Sequence, residues 1–333
     1  MRFSRCLPFV ILLALSVWML TACSALPYTK PKPTGKPLKI GLMLADYGLG
    51  DQSYNDAAFR GLTRARDELG IVFDYREPPS EGVYEQGLLE LIEARCDLVV
   101  AVGFSSKTSL ERVAVRYPAV PFLLVDETSE LPNVSTLTFK EEEGSYLAGI
   151  VAGLKTSTNT IGFIGGIDVP VINKFEEGFE KGARAANPKV KVLGLYGDTF
   201  GDPEQGRRLA RTLIDQGADV LYAAAGLTGS GVLRYAEEAK VYSIGVDSDQ
   251  FTIAERSVLT SMLKHIDVGL YVAVRSFVQE GSLTKKHIRL GLRDNGVSLA
   301  PLRLSPLSPQ EREIWDRLTE PLLSGAKPET AER

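Results

Sequence analysis

From Lys39 onward, short apolar runs that favour strands alternate with helical patterns along nearly the whole chain. The runs are KIGLML (39–44), IVFDY (71–75), DLVVAVGF (97–104), PFLLVD (121–126), TIGFIGG (160–166), KVKVLGLY (189–196), DVLYAAAG (219–226) and VYSIGVD (241–247). Alternation of this kind is typical of parallel sheets whose strands are joined by right-handed helical crossovers. The sequence therefore predicts an α/β fold.

Capping signals delimit the helices between these runs. One helix is expected to start after Ser53, and another after Asp202 with Pro203 in its first turn. Gly70 and Gly217 mark expected helix ends, because glycine adopts the left-handed conformation that closes many helices.

A weak internal repeat divides the α/β body in two. GLMLAD (41–46) and GFIGG (162–166) are both strands followed by a loop and a long helix that contains Phe and Gly. The body is also too long for one small core. We expect two similar α/β lobes. The predicted body is hinged, with one lobe formed by 38–155 plus 263–285 and the other by 156–262 plus 286–333, so that the crossings lie where helices end and the sheet pattern restarts. Ligands of parallel sheets bind beyond the carboxyl ends of the strands, so a shared cleft is expected there.

The first 22 residues resemble an export signal. Arg2 and Arg5 precede the apolar run LPFVILLALSVWML (7–20), which is short for a membrane span. The run leads to Leu20-Thr21-Ala22-Cys23, a lipobox in which the cysteine thiol takes a diacylglycerol group before cleavage. We predict a cleaved signal peptide over 1–22 and a lipidated Cys23. The alternative is a single uncleaved membrane anchor.

The segment that follows the lipobox is rich in Pro and Lys and lacks apolar periodicity. Such a composition favours an extended, solvated chain, so residues 23–37 are expected to tether the body to the membrane. The predicted location is the extracytoplasmic face of the cell membrane, held by the lipid on Cys23.

Several functions lack the residues that they need. The net charge is −4 and Lys and Arg are spread along the chain, so nucleic-acid binding is not expected. The two histidines, His265 and His287, stand in no metal-ligand spacing, and no GxSxG or GxxxxGK[ST] motif occurs. Cys96 lies beside a buried run and is expected to be a core thiol rather than a nucleophile. We predict no enzyme activity, no cofactor and no metal.

Polar and aromatic residues nevertheless gather where strands end. They are Asp51, Ser53, Asn55, Phe59, Asp126, Phe200, Asp247, Asp249 and Lys264. Flat rings, carboxylates and a lysine together suit a neutral, flat, hydroxylated ligand. The simpler alternative is that the aspartates only cap the helices that follow.

At the same loops the chain resembles the basic membrane protein family, the substrate-binding lipoproteins of nucleoside importers. The matching stretches are GDQSYNDAAFRG (50–61), LTFKEEEGSYLAGIVAG (137–153), IGFIGGIDVPVINKFEEGFEKGA (161–183), TFGDPEQG (199–206), GVDSDQ (245–250) and VLTSMLKHIDVGLY (258–271). The resemblance implies a type I periplasmic-binding-protein fold, with two Rossmann-like lobes joined by three crossovers and a ligand enclosed between them.

The resemblance also implies roles for individual residues. The nucleoside base would stack between Phe59 and Phe200, with Tyr54 as the substitute for Phe59. Asp51 and Asn55 in the first loop, together with Asp126, would contact the base and part of the sugar, and Ser53 of the same loop is also expected to be a ligand-binding residue. Asp247 and Lys264 would bind the ribose hydroxyls, with Asp249 as the alternative acid. Phe59 could instead be a core residue, and Lys264 a solvated helix start.

Two segments depart from the family pattern. In Ala225-Gly226-Leu227-Thr228-Gly229, Leu227 stands where glycine is usual, although Gly226 is kept as a site of close approach to the ligand. Gly197-Asp198-Thr199 also differs from the usual small-residue run before the phenylalanine.

The implied function is capture of a purine nucleoside, namely guanosine, inosine or adenosine, and its delivery to the permease of an ABC importer. A second hypothesis is a sensing or regulatory lipoprotein without a cognate permease, because some members of the family are described as regulators of competence. A nucleoside hydrolase is the third, and the absence of nucleophile and metal motifs weakens it.

Overall fold

The computed structural model describes residues 35–324. The predicted signal peptide, Cys23 and nearly all of the predicted tether lie outside the described residues. The strands are β1 (Lys39–Met43), β2 (Val72–Arg76), β3 (Leu98–Val102), β4 (Phe122–Val125), β5 (Val134–Phe139), β6 (Thr160–Gly165), β7 (Lys191–Tyr196), β8 (Val220–Ala224), β9 (Tyr242–Asp247), β10 (Val258–Lys264), β11 (His287–Leu290) and β12 (Val297–Leu299).

Helices connect most of these strands. They are α1 (Tyr54–Leu69), α2 (Glu85–Glu93), α3 (Lys107–Arg116), α4 (Glu141–Lys155), α5 (Pro170–Ala186), α6 (Pro203–Asp215), α7 (Gly226–Ala239), α8 (Ile266–Glu280) and α9 (Pro309–Ser324). Short 3₁₀ turns stand at Phe104–Ser106 and Phe251–Ile253.

The strands form two six-stranded sheets. The first has the order β11-β5-β4-β3-β1-β2 and is parallel throughout. The second has the order β12-β10-β9-β8-β6-β7 and is parallel except for β12, which runs antiparallel to β10. We call the layers built on these sheets lobe 1 and lobe 2. All eight apolar runs predicted as strands are strands, and the α/β prediction is confirmed.

The predicted caps are present, with one exchange of roles. Asp202 accepts hydrogen bonds from the backbone N–H groups of Glu204 and Gln205 and starts α6 with Pro203 in its first turn. Gly70 ends α1 in the left-handed region at φ 72°. At the start of α1, however, the Ser53 side chain makes no cap. Asp51 caps this helix instead.

Helix packing gives the lobes different boundaries from those predicted. Helix α4 packs on α5 and on the second sheet. This contact is very close, because a Cβ at Gly182 would lie 2.0 Å from the Tyr146 carbonyl oxygen. Strand β11 pairs with β5 of the first sheet. The prediction assigned 141–155 to lobe 1 and 286–290 to lobe 2, and the packing assigns them the other way, because the small residues of α4 let it dock on α5.

Between residues 35 and 324, three connections therefore join the lobes. The first lies between β5 and α4, where the Lys140 backbone N–H still donates to Leu290 O of the first sheet. The second lies between β10 and α8, near the predicted crossing at 263. The third runs from β11 to β12. Within residues 35–324, none of the helices combines the length and the apolarity needed to span a membrane.

Candidate ligand-binding cleft

The carboxyl ends of strands from both sheets meet around a cavity of about 270 Å³. Its lining comes from the carboxyl ends of strands and the loops after them, those after β2 and β7 included, and from the start of α5. Ligand sites of parallel sheets are expected at these strand ends. Seven of the nine predicted ligand-binding residues line it, namely Asp51, Asn55, Asp126, Phe200, Gly226, Asp247 and Lys264. The remaining two are Ser53 and Phe59.

At several of these strand ends the chain turns through residues in the left-handed backbone conformation, with positive φ. Asp126 has φ 70° and Asp247 has φ 63°, while Gly103 and Gly226 have φ 93° and 54°. Glycine takes this conformation without penalty, and aspartate takes it more readily than most residues. Residues held in this way often cluster at ligand sites. The turns bring the Asp126 and Asp247 side chains to the cavity.

A buried ion cluster lies inside the cleft. Lys264 Nζ is 2.5 Å from Asp126 Oδ2 and 3.0 Å from Glu141 Oε1, and the three side chains are 2%, 6% and 1% exposed. Burial alone would lower the pKa of Lys264, but the attraction of Asp126, Glu141 and Asp247 outweighs it and holds the pKa above the ordinary value. The interpretation of Lys264 as a solvated helix start is therefore wrong.

Glu141 extends this cluster toward the surface. Burial raises the pKa of Glu141, and the nearby Lys264 opposes that rise. Its second oxygen, Oε2, makes no hydrogen bond but lies 3.7 Å from Lys174 Nζ, at a side chain that is 42% exposed. Glu141 lies within the stretch 137–153 that resembles the family, and no role for it was predicted from the sequence.

Asp247 joins the two lobes through Ser53. The Ser53 hydroxyl donates a hydrogen bond of 2.9 Å to Asp247 Oδ2. Burial raises the pKa of Asp247 to about 6, although Lys264 and this hydrogen bond favour the ionised form. Ser53 is fully buried and does not line the cavity, so it supports Asp247 rather than facing a ligand.

Asp51 and Asn55 line the cleft but use most of their hydrogen-bonding capacity within the loop. Asp51 accepts from the backbone N–H groups of Ser53, Asn55 and Asp56. Asn55 accepts from Ala45 N–H and donates to the Asp46 carbonyl oxygen. These contacts fix the β1–α1 loop, and the expected capping alternative holds for Asp51.

Aromatic and aliphatic side chains from both lobes form the walls of the cleft. Tyr54, Phe104, Phe175 and Phe200 line it together. The rings of Phe104 and Phe200 meet edge to face, with centroids 6.3 Å apart. Phe200 also lies against Gly166, where a Cβ would come within 2.2 Å of the ring, so this wall requires glycine. Leu227, the departure from the family pattern, is part of the lining.

Phe59 does not reach the cleft, and its predicted stacking role is corrected. Its ring packs edge to face on Phe73 and Tyr75 at centroid distances of 5.3 and 5.4 Å. Tyr54 and Phe59 are five residues apart on α1, which places them about 140° apart around the helix axis. Tyr54 faces the cavity, and Phe59 is the packing residue that the alternative interpretation described.

Two buried polar atoms of the cleft make no hydrogen bond of normal geometry to any of the described residues. They are Asp126 Oδ1 and the Tyr54 hydroxyl group. Burial raises the pKa of Tyr54 well above its ordinary value, and the charge of Asp126, a side-chain interaction with the Asp126 carboxylate and the charge of Asp247 add to this. Buried polar groups without partners are costly, so these two atoms suit a ligand that supplies hydrogen bonds.

The structure adds several residues that sequence reasoning did not select. They are Asp46, Tyr47, Glu81, Phe104, Ser105, Phe175 and Leu227. Asp46 and Phe104 carried the same signal as Asp126, a strand end followed by a turn. Glu81 and Phe175 gave no such signal, because their neighbours in the cleft come from distant segments.

Asp249, the alternative acid, lies outside the cavity lining. It forms a bidentate ion pair with Arg303, with N–O distances of 2.6 and 3.1 Å.

Cys96 is 8% exposed, and burial raises the pKa of its thiol to about 11, as expected for a core cysteine. No cluster of His, Cys, Asp or Glu suited to a metal ion occurs between residues 35 and 324.

Comparison with known proteins agrees with this architecture. The family described as "ABC transporter substrate-binding protein PnrA-like" (Bmp) matches residues 39–317. Basic membrane protein B of Borrelia garinii subsp. bavariensis is 31% identical over 298 residues, which cover 85% of this chain and 86% of that protein. A lipoprotein of Pyrococcus horikoshii is 35% identical over 285 residues, which cover 81% of this chain and 70% of that protein.

Solved structures show the same fold. The crystal structure of an ABC transporter solute-binding protein from Aeropyrum pernix K1 is similar with a TM-score of 0.74 and 30% identity, covering 88% of this chain and 82% of that one. Two α/β lobes around a cleft at the strand ends define a solute-binding protein of the type I periplasmic-binding-protein fold. The chain belongs to the Bmp family of ABC transporter substrate-binding proteins. Its partner class is accordingly the permease of an ABC transporter.

Proposed function

We propose that this protein captures a purine nucleoside outside the cytoplasmic membrane and delivers it to the permease of an ABC importer. The observation that carries the proposal is the pair of unsatisfied buried atoms, Asp126 Oδ1 and the Tyr54 hydroxyl, beside Lys264 and between aromatic walls. A ligand with flat faces and hydrogen-bond donors meets both requirements.

The base would stack on Phe200, with Tyr54 of lobe 1 taking the role that Phe59 cannot fill. Asp126 Oδ1 would accept a hydrogen bond from the base or sugar. Asp247 and Lys264 would bind the ribose hydroxyl groups, with Ser53 holding Asp247 in place. Asp51 and Asn55 would support this site by fixing the loop, and the Gly226 backbone would lie close to the ligand.

The charge of the cleft favours a neutral ligand. Among the residues that the structure describes, five carboxylate side chains line it, those of Asp46, Asp51, Glu81, Asp126 and Asp247, against the one ammonium group of Lys264. Lys264 is already paired with Asp126 and Glu141. A phosphate group would meet net negative charge, so nucleotides should bind far more weakly than nucleosides.

Anchoring belongs to the same proposal. A lipid on Cys23 and the tether that follows would keep the body on the extracytoplasmic face of the cell membrane, near the permease. The lipoprotein and membrane-protein names of the relatives support this location.

Calorimetric titration with guanosine, inosine and adenosine tests the proposal, after copurified ligand has been removed by unfolding and refolding. We expect binding of at least one nucleoside and far weaker binding of its free base and its 5′-phosphate. Asp247→Ala should cost more affinity for the nucleoside than for the base, whereas Phe200→Ala should weaken both. The absence of binding or thermal stabilisation with all three nucleosides would refute the proposal.

A further inference from the structure

Tyr47 crosses from lobe 1 to lobe 2 at the edge of the cleft. It belongs to the β1–α1 loop and lines the cavity, and its side chain is joined to both lobes. Its hydroxyl donates to Glu81 Oε2 of lobe 1 at 3.2 Å and lies 2.8 Å from Thr199 Oγ1 of lobe 2. Thr199 Oγ1 in turn accepts from the Gly201 backbone N–H. The Thr199 hydroxyl can therefore donate to Tyr47, and a continuous hydrogen-bonded chain spans the cleft.

The Tyr47 ring rests directly on Gly201. A Cβ at Gly201 would lie 2.1 Å from Tyr47 Cε1 and 2.4 Å from Cδ1, which is far inside van der Waals contact. Gly201 has no left-handed φ, so its backbone would accept alanine. The absent side chain at Gly201 is therefore required by the Tyr47 ring and by no backbone turn.

The backbone of Tyr47 is held in an unusual conformation. Its φ is 70°, in the left-handed region that glycine adopts readily and residues with bulky side chains rarely adopt. Such residues persist where their surroundings hold them, often at binding sites and gates. With 41% of its surface exposed, Tyr47 is not a core residue. A turn closed by the Gly48 backbone N–H on the Ala45 carbonyl oxygen holds its backbone, and contacts with Glu81, Thr199 and Gly201 hold its side chain.

We propose that Tyr47 is a gate residue that closes the cleft beside Phe200 and controls ligand release. Phe200, whose ring forms a wall of the cleft, lies between Thr199 and Gly201, the two residues of lobe 2 that contact Tyr47. A ligand on Phe200 leaves only after Tyr47 has separated from Thr199 and Gly201. This proposal rests on the proposed nucleoside-binding function for its kinetic test, but its contacts can be tested without a ligand.

The kinetic test measures the dissociation rate of guanosine by stopped-flow displacement. Tyr47→Phe removes the hydrogen bonds and should raise the rate about 2- to 12-fold, the range of one net hydrogen bond. Tyr47→Ala should raise it further. Gly201→Ala should also raise the dissociation rate, because the new Cβ would displace the Tyr47 ring from its position against residue 201. Tyr117→Phe, at a tyrosine that is 39% exposed and outside the cavity lining, is the matched control and should leave it unchanged.

A double variant separates the gate from a general effect of Gly201→Ala. Once the ring is gone the new Cβ meets no clash with it, so Tyr47→Ala/Gly201→Ala should release guanosine no faster than Tyr47→Ala. Additive effects, or wild-type rates in Tyr47→Phe and Tyr47→Ala, would overturn the proposal.

Amide hydrogen exchange without ligand tests the same contacts. The backbone amides of 199–201 should exchange faster in Tyr47→Ala than in the wild type, and Tyr117→Phe should not change them. If the wild type binds no nucleoside, the proposed function fails and this comparison alone decides the gate. Identical exchange at 199–201 in Tyr47→Ala and the wild type would then overturn it.

Discussion

Lys264 of lobe 2 lies 2.5 Å from Asp126 of lobe 1, and the two side chains are 2% and 6% exposed. Lys264 ends β10, and Asp126 follows β4, so the pair joins strand ends of the two sheets inside the cleft. Removing one partner of a buried pair leaves an uncompensated charge, which is far more costly than losing a surface pair.

Lys264→Met should therefore lower the free energy of unfolding by about 3–5 kcal/mol, because Asp126 and Glu141 lose their buried partner. Urea denaturation in the absence of ligand measures this change. Lys174→Met is the matched control, since Lys174 also approaches Glu141 but is 42% exposed, and it should cost less than about 1 kcal/mol. Equal losses in the two variants would show that burial is not the reason.

The affinity for guanosine should rise with pH through the range in which Asp247 ionises. Burial raises the pKa of Asp247 to about 6, so the carboxyl group is mostly neutral at about pH 5 and mostly ionised at about pH 7.5. A carboxylate accepts hydrogen bonds from ribose hydroxyls more strongly than a neutral acid does. We expect about tenfold tighter binding at the higher pH by calorimetry, and Asp247→Asn should remove most of this dependence.

The stability of the ligand-free protein should respond to Asp247 in the opposite direction. Its pKa is higher in the folded protein than in the unfolded chain, so between about pH 4 and pH 6 the folded state binds more protons. The contribution of Asp247 to the free energy of unfolding is largest below about pH 4 and declines as pH rises through about 6. Urea denaturation across this range should show a steeper decline in the wild type than in Asp247→Asn. Parallel curves would contradict the assignment.

Phe59 and Phe200 should separate packing from ligand contact. Phe200→Leu removes a wall of the cleft and should weaken guanosine binding by about 3- to 10-fold, the range expected for one aromatic contact. Phe59→Leu should leave the affinity within about twofold and lower stability instead, since Phe59 contacts Phe73 and Tyr75. Calorimetry and thermal unfolding of both variants provide the comparison, and weakened binding in Phe59→Leu alone would restore the original assignment.

Cys23→Ser should accumulate as an unprocessed precursor, because the predicted lipobox needs the cysteine thiol for diacylglycerol transfer before cleavage. Intact-mass measurement of the membrane and soluble fractions distinguishes the precursor from a chain that starts at residue 23. Cys96→Ser is the control, since Cys96 lies in the core of lobe 1, and its processing should match the wild type. Normal cleavage and membrane retention of Cys23→Ser would contradict the prediction.

Local pattern was sufficient for most of the fold. Each apolar run from 39–44 to 241–247 forms a strand, because a buried parallel strand needs continuous apolar residues and leaves that mark in the sequence. Strands β5, β10, β11 and β12 lie outside the predicted runs, and β5 and β10 carry Ser and Thr. In β10, Thr260 is satisfied inside the protein by a hydrogen bond to the Ala300 carbonyl oxygen. A strand whose hydroxyl groups find partners in distant segments gives a weak local signal.

The sequence by itself determined the α/β class, the family, the strand ends that meet at the cleft and the polar residues Asp126, Asp247 and Lys264. The class follows from periodicity, and Asp126 and Asp247 follow from their places at the ends of predicted strands. The family and the role of Lys264 follow from the resemblance of the longer stretches. Only the tertiary structure decided that Tyr54 and not Phe59 faces the cavity, that Glu141 shares Lys264 with Asp126, and that Tyr47 rests on Gly201. The physical reason is that these facts depend on the rotation of one helix and on contacts between residues more than 100 positions apart. Neither feature produces a periodic pattern in the sequence.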